Sequence, residues 1–99
     1  MKPKRITFRT PPTRDRIQTA LGLISRMEHH GENPTPDELH KAVAVLEAAS
    51  WSARRDCLHK SFARDRHMAF KAGEIADRMR KHPIFIGHNC PPEVDIEFG

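Results

Sequence analysis

A chain of 99 residues has the size of one folding domain, and a hydrophobic content of 37% allows only a thin core. No stretch approaches the roughly 18 consecutive apolar residues of a membrane span, and no apolar run follows the basic start as in a signal peptide. Two cysteines are too few for a disulfide framework. We therefore expect a single cytoplasmic domain over residues 1–99 that does not contact a membrane.

The charges are unevenly distributed along the chain. The formal charge is +5 over residues 1–16, −3 over 17–52, +5 over 53–82 and −3 over 83–99. Two basic stretches favour an anionic partner, either nucleic acid or an acidic protein surface, and a purely solubilising role is the alternative. The predicted organisation is a basic arm over 1–12, a helical core over 13–82 and an extended acidic tail over 83–99.

The arm contains a short strand pattern. Ile6 and Phe8 alternate with polar residues, which is the two-residue period of a strand, and Pro11-Pro12 ends the pattern. The alternative is a flexible basic arm that includes Lys2.

The first helix is predicted from Pro12 or Thr13 to His30. Asp15 lies in its first turn, where the helix dipole favours an acid, and Gly31 is a typical C-terminal cap. The apolar stripe consists of Ile17, Ala20, Leu21, Ile24 and Met27.

A second helix is predicted to begin after Thr35. In Thr35-Pro36-Asp37-Glu38, the threonine can accept from the Glu38 N–H, Glu38 can reach back, and the proline occupies the first helical position. Its core stripe is Leu39, Ala42, Val43, Leu46 and Ala49. A turn or kink is expected at residues 50–52, because the next apolar stripe is out of phase and serines favour helix ends.

A long helix is predicted over residues 51–82. Its apolar side consists of Trp51, Leu58, Phe62, Ala69, Ala72, Ala76 and Met79. The opposite side carries Lys60, Arg64, His67, Lys71, Arg78 and Lys81.

Two residues conflict with one continuous helix. Asp65 falls on the apolar side and needs a partner such as Arg54 or Arg66, whereas Phe70 falls on the polar side. Either Phe70 is an exposed aromatic meant for a partner, or the helix breaks near residues 64–67. In the second case a separate helix has the core Met68, Ala72, Ile75 and Met79.

Pro83 ends the helical region, and residues 84–86 form an apolar run that suits a strand pairing with residues 6–8. The predicted fold class is therefore mainly α. It is a small bundle of three or four helices with short extended terminal segments that can pair as β-strands.

No chemistry-bearing motif stands out. Cys57, His59, His88 and Cys90 have ligand types that zinc accepts, but on a helix Cys57 and His59 point about 200° apart. The sequence has no Gly-rich phosphate loop and no paired-carboxylate motif. We therefore predict no enzyme activity, no catalytic residue, no metal and no cofactor.

A non-enzymatic protein-binding module is the preferred interpretation, docking through its basic helical face on an acidic protein surface. The alternative is a DNA- or RNA-binding regulator of helix-turn-helix type, with residues 52–67 as the reading helix. A homodimer is compatible with either. In both interpretations the binding residues are Arg54, Arg55, Lys60, Arg64, His67, Phe70, Lys71 and Arg78.

Eight residues near the end, Ile86-Gly87-His88-Asn89-Cys90-Pro91-Pro92-Glu93, carry a resemblance. They resemble the Gly-His-Asn-x-Pro-Pro segments of small uncharacterised phage and prophage proteins, in which the segment precedes a helix. Here it follows the last predicted helix. The resemblance implies a phage-encoded inhibitor or regulator of a host complex, such as a defence or transcription complex, acting in the host cytoplasm. It carries over no catalytic residue.

Overall fold

The computed structural model describes residues 4–98, so residues 1–3, with the Lys2 of the predicted arm, and Gly99 lie outside the described residues. The elements in chain order are β1 (Arg5–Phe8), α1 (Arg14–His30), α2 (Pro36–Arg54), α3 (His67–Arg80) and β2 (Glu93–Ile96). Short 3-10 turns lie at Lys60–Phe62 and Pro83–Phe85. The predicted mainly α fold with short strands is confirmed.

The central element is α2. It packs against α1 on one side, against α3 on another and against the two-stranded sheet. Leu39, Val43 and Leu46 are fully buried, as the predicted stripe requires. Because α2 has neighbours on several sides, residues outside that stripe, such as Ala44 and Ala48, are fully buried too.

The start of α2 and the end of α1 follow the predicted capping residues, and Thr13 caps α1 at the predicted boundary. The Thr13 hydroxyl accepts from the Arg16 N–H at 3.2 Å, and Gly31 ends α1 in the left-handed region at φ 68°. The Thr35 hydroxyl accepts from the Glu38 N–H and donates to the Glu38 carboxylate, both at 3.2 Å. The first two helices therefore begin where the local sequence satisfies their free backbone groups.

The predicted break at residues 50–52 is wrong, because α2 continues to Arg54. The buried Ser52 hydroxyl donates to the Ala49 carbonyl at 2.8 Å, so this serine is satisfied within the helix. The helix ends one turn later, where the Cys57 N–H donates to the Ser52 carbonyl at 2.9 Å and Asp56 adopts φ 55°. This is a Schellman ending with aspartate where glycine is usual.

The continuous helix over 51–82 is also wrong. Residues 55–66 form an irregular connection, and α3 is a separate helix, as the second alternative predicted. Its buried residues are Ala69, Ala72, Ala76 and Met79, while Met68 and Ile75 are only partly buried. Asp65 pairs with Arg14 of α1 at 3.3 Å, rather than with Arg54 or Arg66.

The sheet uses a different second strand from the predicted one. Residues 84–86 are not a strand, because Pro83 opens a 3-10 turn that His82 caps through its ring nitrogen. Instead, β1 pairs in parallel with β2, in the register Arg5↔Glu93 to Phe8↔Ile96. Part of the predicted acidic tail is therefore a strand, and β1 is ordered rather than a flexible arm. The three helices between them supply the long crossover that parallel pairing requires.

Candidate binding surface

The first basic stretch of the chain is matched by acidic partners in the fold. Arg5 pairs with Glu93 at 3.2 Å and with Asp95 at 3.3 Å, and Arg9 lies 3.8 Å from Glu97. Much of the charge of the predicted basic arm is therefore balanced across the sheet. Lys4 also pairs with Asp37, at 3.0 Å.

Three arginines of the second basic stretch are also paired. Arg78 pairs with Glu28 of α1 at 2.7 Å. Arg66 pairs with Asp56, and Arg80 with Glu47. Arg78, a predicted binding residue, thus ties α3 to α1 and lies apart from the remaining candidates.

The other predicted cations have no acidic partner within residues 4–98. They lie around the connection between α2 and α3 and are all exposed. Together with Trp51, Phe70 and His67, they form a surface that we call the hairpin end. Its members are Trp51, Arg54, Arg55, Lys60, Arg64, His67, Phe70 and Lys71.

Two exposed aromatic side chains lie on the hairpin end. Phe70 is 48% exposed on α3, which agrees with its predicted place on the polar side. Trp51 is 40% exposed, so its predicted place in the core is wrong. The guanidinium carbons of Arg54 and Arg55 lie 5.9 and 5.2 Å from the centre of its ring. Arginines three and four residues after a tryptophan on one helix were the sequence signal for this cluster.

Carboxylates also lie beside Trp51 and Arg54. Glu47 and Asp77 line a small cavity of about 50 Å³ together with Trp51 and Gly73. In addition, α2 ends beside the two arginines, and the negative end of its dipole favours their charge. The hairpin end is therefore a mixed surface in which cations and aromatic rings adjoin acids.

Two of the side chains considered as zinc ligands make other hydrogen bonds in the fold. The His59 ring nitrogen accepts from the Ser61 N–H at 3.1 Å and thereby caps a 3-10 turn, and the Cys57 thiol donates to the Ser52 carbonyl at 3.6 Å. Over residues 4–98, no group of three or more His, Cys, Asp or Glu side chains is arranged to hold a metal ion.

The helix-turn-helix geometry does not form. Its reading helix was expected over residues 52–67, but residues 55–66 contain only a single 3-10 turn. Arg64 and Lys60 consequently lie on the connection and not on a helix face that enters a groove.

Within the described part of the chain, no helix combines the length and the apolar character needed to cross a bilayer. No protein-family model matches the sequence, and no curated protein and no solved structure matches it either.

Proposed function

We propose that this chain is a non-enzymatic binding protein that docks its hairpin end on an acidic surface of a partner protein. The observation that carries the proposal is the concentration of exposed, unpaired cations around two exposed aromatic rings. Most arginines elsewhere on the described surface are engaged by carboxylates, as Arg5, Arg26 and Arg78 are.

The composition of the hairpin end suits a protein interface. Tryptophan and arginine are the residues most enriched among those that dominate interface energies. Arg54 and Arg55 are already held against the Trp51 ring, so less side-chain entropy is lost when a carboxylate binds them. Phe70 supplies a second apolar contact that a partner can bury.

The acids near Trp51 favour protein over nucleic acid as the partner. Glu47 and Asp77 adjoin the ring, and Asp56 follows Arg55 directly. Arg80 and Arg66 already pair with Glu47 and Asp56, but a phosphate backbone that followed the cations would meet Asp77, to which a protein surface can present a cation of its own. From the resemblance of residues 86–93 we further propose that the partner is a component of a bacterial host complex.

The test is a capture experiment on a nuclease-treated bacterial extract. The immobilised protein is compared with Phe70→Ala and Arg55→Ala, and with Lys41→Ala as a control for an exposed, unpaired cation elsewhere on α2. For a captured partner, the first two substitutions should each weaken binding by about tenfold or more. The control should change the affinity less than twofold. Equal effects of all three substitutions would contradict the proposal.

The nucleic-acid alternative needs its own measurement. Mobility-shift titrations with duplex DNA and RNA are made at low and near-physiological salt. Electrostatic binding falls steeply as salt rises, so we expect any shift to disappear at the higher concentration. A shift that persists there and that Lys60→Gln and Arg64→Gln abolish would replace the protein-docking proposal.

A further inference from the structure

The outer edge of β2 has no strand beside it. The Glu93 N–H donates to the Lys4 carbonyl and the Glu97 N–H to the Phe8 carbonyl, both at 2.9 Å. Backbone groups alternate in direction along a strand, so those of Val94 and Ile96 point away from β1. The sheet has only two strands within the described residues, so this edge is open there.

The solvent-facing side chains of β2 carry more negative charge than β1 balances. Glu93, Asp95 and Glu97 follow one another at every second position, whereas β1 and the residue after it offer only Arg5 and Arg9. The three carboxylates meet these arginines on one side, and the open edge leaves their other side free for further cations.

The space beside β2 can hold another chain segment. A groove of about 850 Å³ is lined by Val94 and by Trp51, Glu47 and Arg80 of the helices. Arg80 donates to the Pro92 carbonyl at 2.9 Å and fixes the chain where it enters β2. The open edge therefore belongs to a strand whose start is fixed in place. The Trp51 ring lies beside this edge, and a side chain of an added segment can contact it.

We propose that the open edge of β2 accepts an extended segment of a partner chain in which Lys or Arg alternates with apolar residues. The backbone of that segment would pair with Val94 and Ile96, and its cations would meet the carboxylates of β2 from the free side. The pairing of β1 with β2 already shows the complementary pattern, because Arg5 and Arg9 lie against the same acids. This site adjoins the hairpin end, because Trp51 belongs to both, but the proposal does not rest on docking through the hairpin end.

Symmetric pairing of two copies through this edge is disfavoured. Two β2 strands in antiparallel pairing would place carboxylates opposite carboxylates, and two β1 strands would place arginines opposite arginines. Like charges across a strand pair are destabilising, and charged edges are a common protection against self-association.

The test titrates the protein with a labelled, end-blocked peptide of sequence KRITFRT, which carries the required pattern, and follows fluorescence anisotropy. The control peptide has glutamate at its three basic positions. Val94→Pro removes an outward N–H, and Thr7→Pro is the matched control because its N–H points to the opposite edge. We expect Val94→Pro to weaken binding about tenfold, Thr7→Pro less than twofold, and the control peptide not to bind.

Amide exchange of the unaltered protein keeps the test independent of how the variants fold. Saturating peptide should slow exchange at the Val94 and Ile96 amides and leave the Thr7 amide unchanged. Absence of protection, equal binding of the two peptides, or equal losses in the two proline variants would overturn the proposal. So would concentration-dependent assembly of the protein alone in sedimentation, because it would assign the edge to a second copy.

Discussion

Gly73 of α3 lies in close contact with Ser50 of α2. A Cβ atom placed on Gly73 would lie 2.4 Å from the Ser50 hydroxyl oxygen and 2.8 Å from the Ser50 Cβ. The hydroxyl can rotate away, but the Cβ is fixed to the α2 backbone, and Ser50 is only 5% exposed. A methyl group at position 73 therefore forces the two helices apart.

The expected cost is the difference between two effects. Glycine to alanine within a helix normally stabilises by about 1 kcal/mol, whereas overpacking a close-packed interface costs about 1–3 kcal/mol. Because the Ser50 Cβ would lie only 2.8 Å away, we take the overpacking cost from the upper part of this range, about 2–3 kcal/mol, so Gly73→Ala should lower the free energy of unfolding by about 1–2 kcal/mol. For a domain of this size that corresponds to a decrease in Tm of roughly 5–15 °C.

The matched design exchanges the two small residues. Ser50→Gly alone should cost about 1 kcal/mol through helix propensity, but combined with Gly73→Ala it removes the clashing atoms. The double variant should therefore unfold close to the wild type, with a favourable coupling energy of about 2 kcal/mol. Ser50→Ala should rescue only in part, because its Cβ remains. The assay is thermal and urea unfolding followed by circular dichroism. A Gly73→Ala variant with a raised Tm, or strictly additive effects, would refute this account of the helix contact.

Three further predictions concern single positions. His40→Phe should raise the free energy of unfolding by about 1–2 kcal/mol, measured by urea denaturation. The new ring can stay stacked on Phe85, and two buried ring nitrogens without hydrogen-bond partners are removed. A loss of stability would contradict this prediction. Ala63→Gly should stabilise by about 1 kcal/mol in the same assay, since φ at this residue is 43°; an unchanged midpoint would show that the backbone is unstrained. Lys4→Gln should raise the pKa of Asp37 toward its ordinary value of 3.8 in an NMR titration, because the hydrogen bond and charge of Lys4 lower that pKa. The stabilisation from this pair is present above about pH 4 and is lost as the pH falls through the lowered pKa, and an unshifted titration would contradict the pairing.

The helix starts were predictable because their signals are local. Thr13 and Thr35 each lie three residues before the N–H that their hydroxyl accepts, so the capping geometry can be inferred from a few neighbouring residues. The periodic stripe of α1 likewise depends on spacing alone. Gly31 marked the end of α1 because glycine adopts positive φ without strain.

The end of α2 was not predictable from the same kind of signal. Asp56 takes the left-handed position that glycine usually fills, so no composition change marks the ending. The serines that suggested an earlier break are accommodated by the fold. Ser52 bonds within the helix, and Ser50 faces the glycine of α3. The environment of these serines depends on α3, which comes later in the chain. A pattern among neighbouring residues therefore does not predict it.

The candidate site was only partly predictable for the same reason. The phase of one continuous helix over 51–82 placed Phe70 on its polar side, and exposure was one of two alternatives. The same phase placed Trp51 on the apolar side, but its ring is 40% exposed. Its ring is instead partly exposed at the margin of α3 and of the groove beside β2. Arg78 was predicted as a binding residue together with the other cations. Only the fold shows that it pairs with Glu28 of α1 and therefore does not belong to the site.

The pairing of β1 with β2 changes the meaning of the charge pattern. The sequence separates a basic start from an acidic end by most of the chain, and the basic start was predicted to favour an anionic partner. Parallel pairing instead brings Arg5 against Glu93 and Asp95, so these charges largely satisfy one another. The cations that remain unpaired are concentrated at the hairpin end, and an uncompensated acid remains on β2. The parallel pairing therefore moves the unpaired positive charge from the start of the chain to the hairpin end, and it leaves the sheet with one carboxylate more than its two arginines.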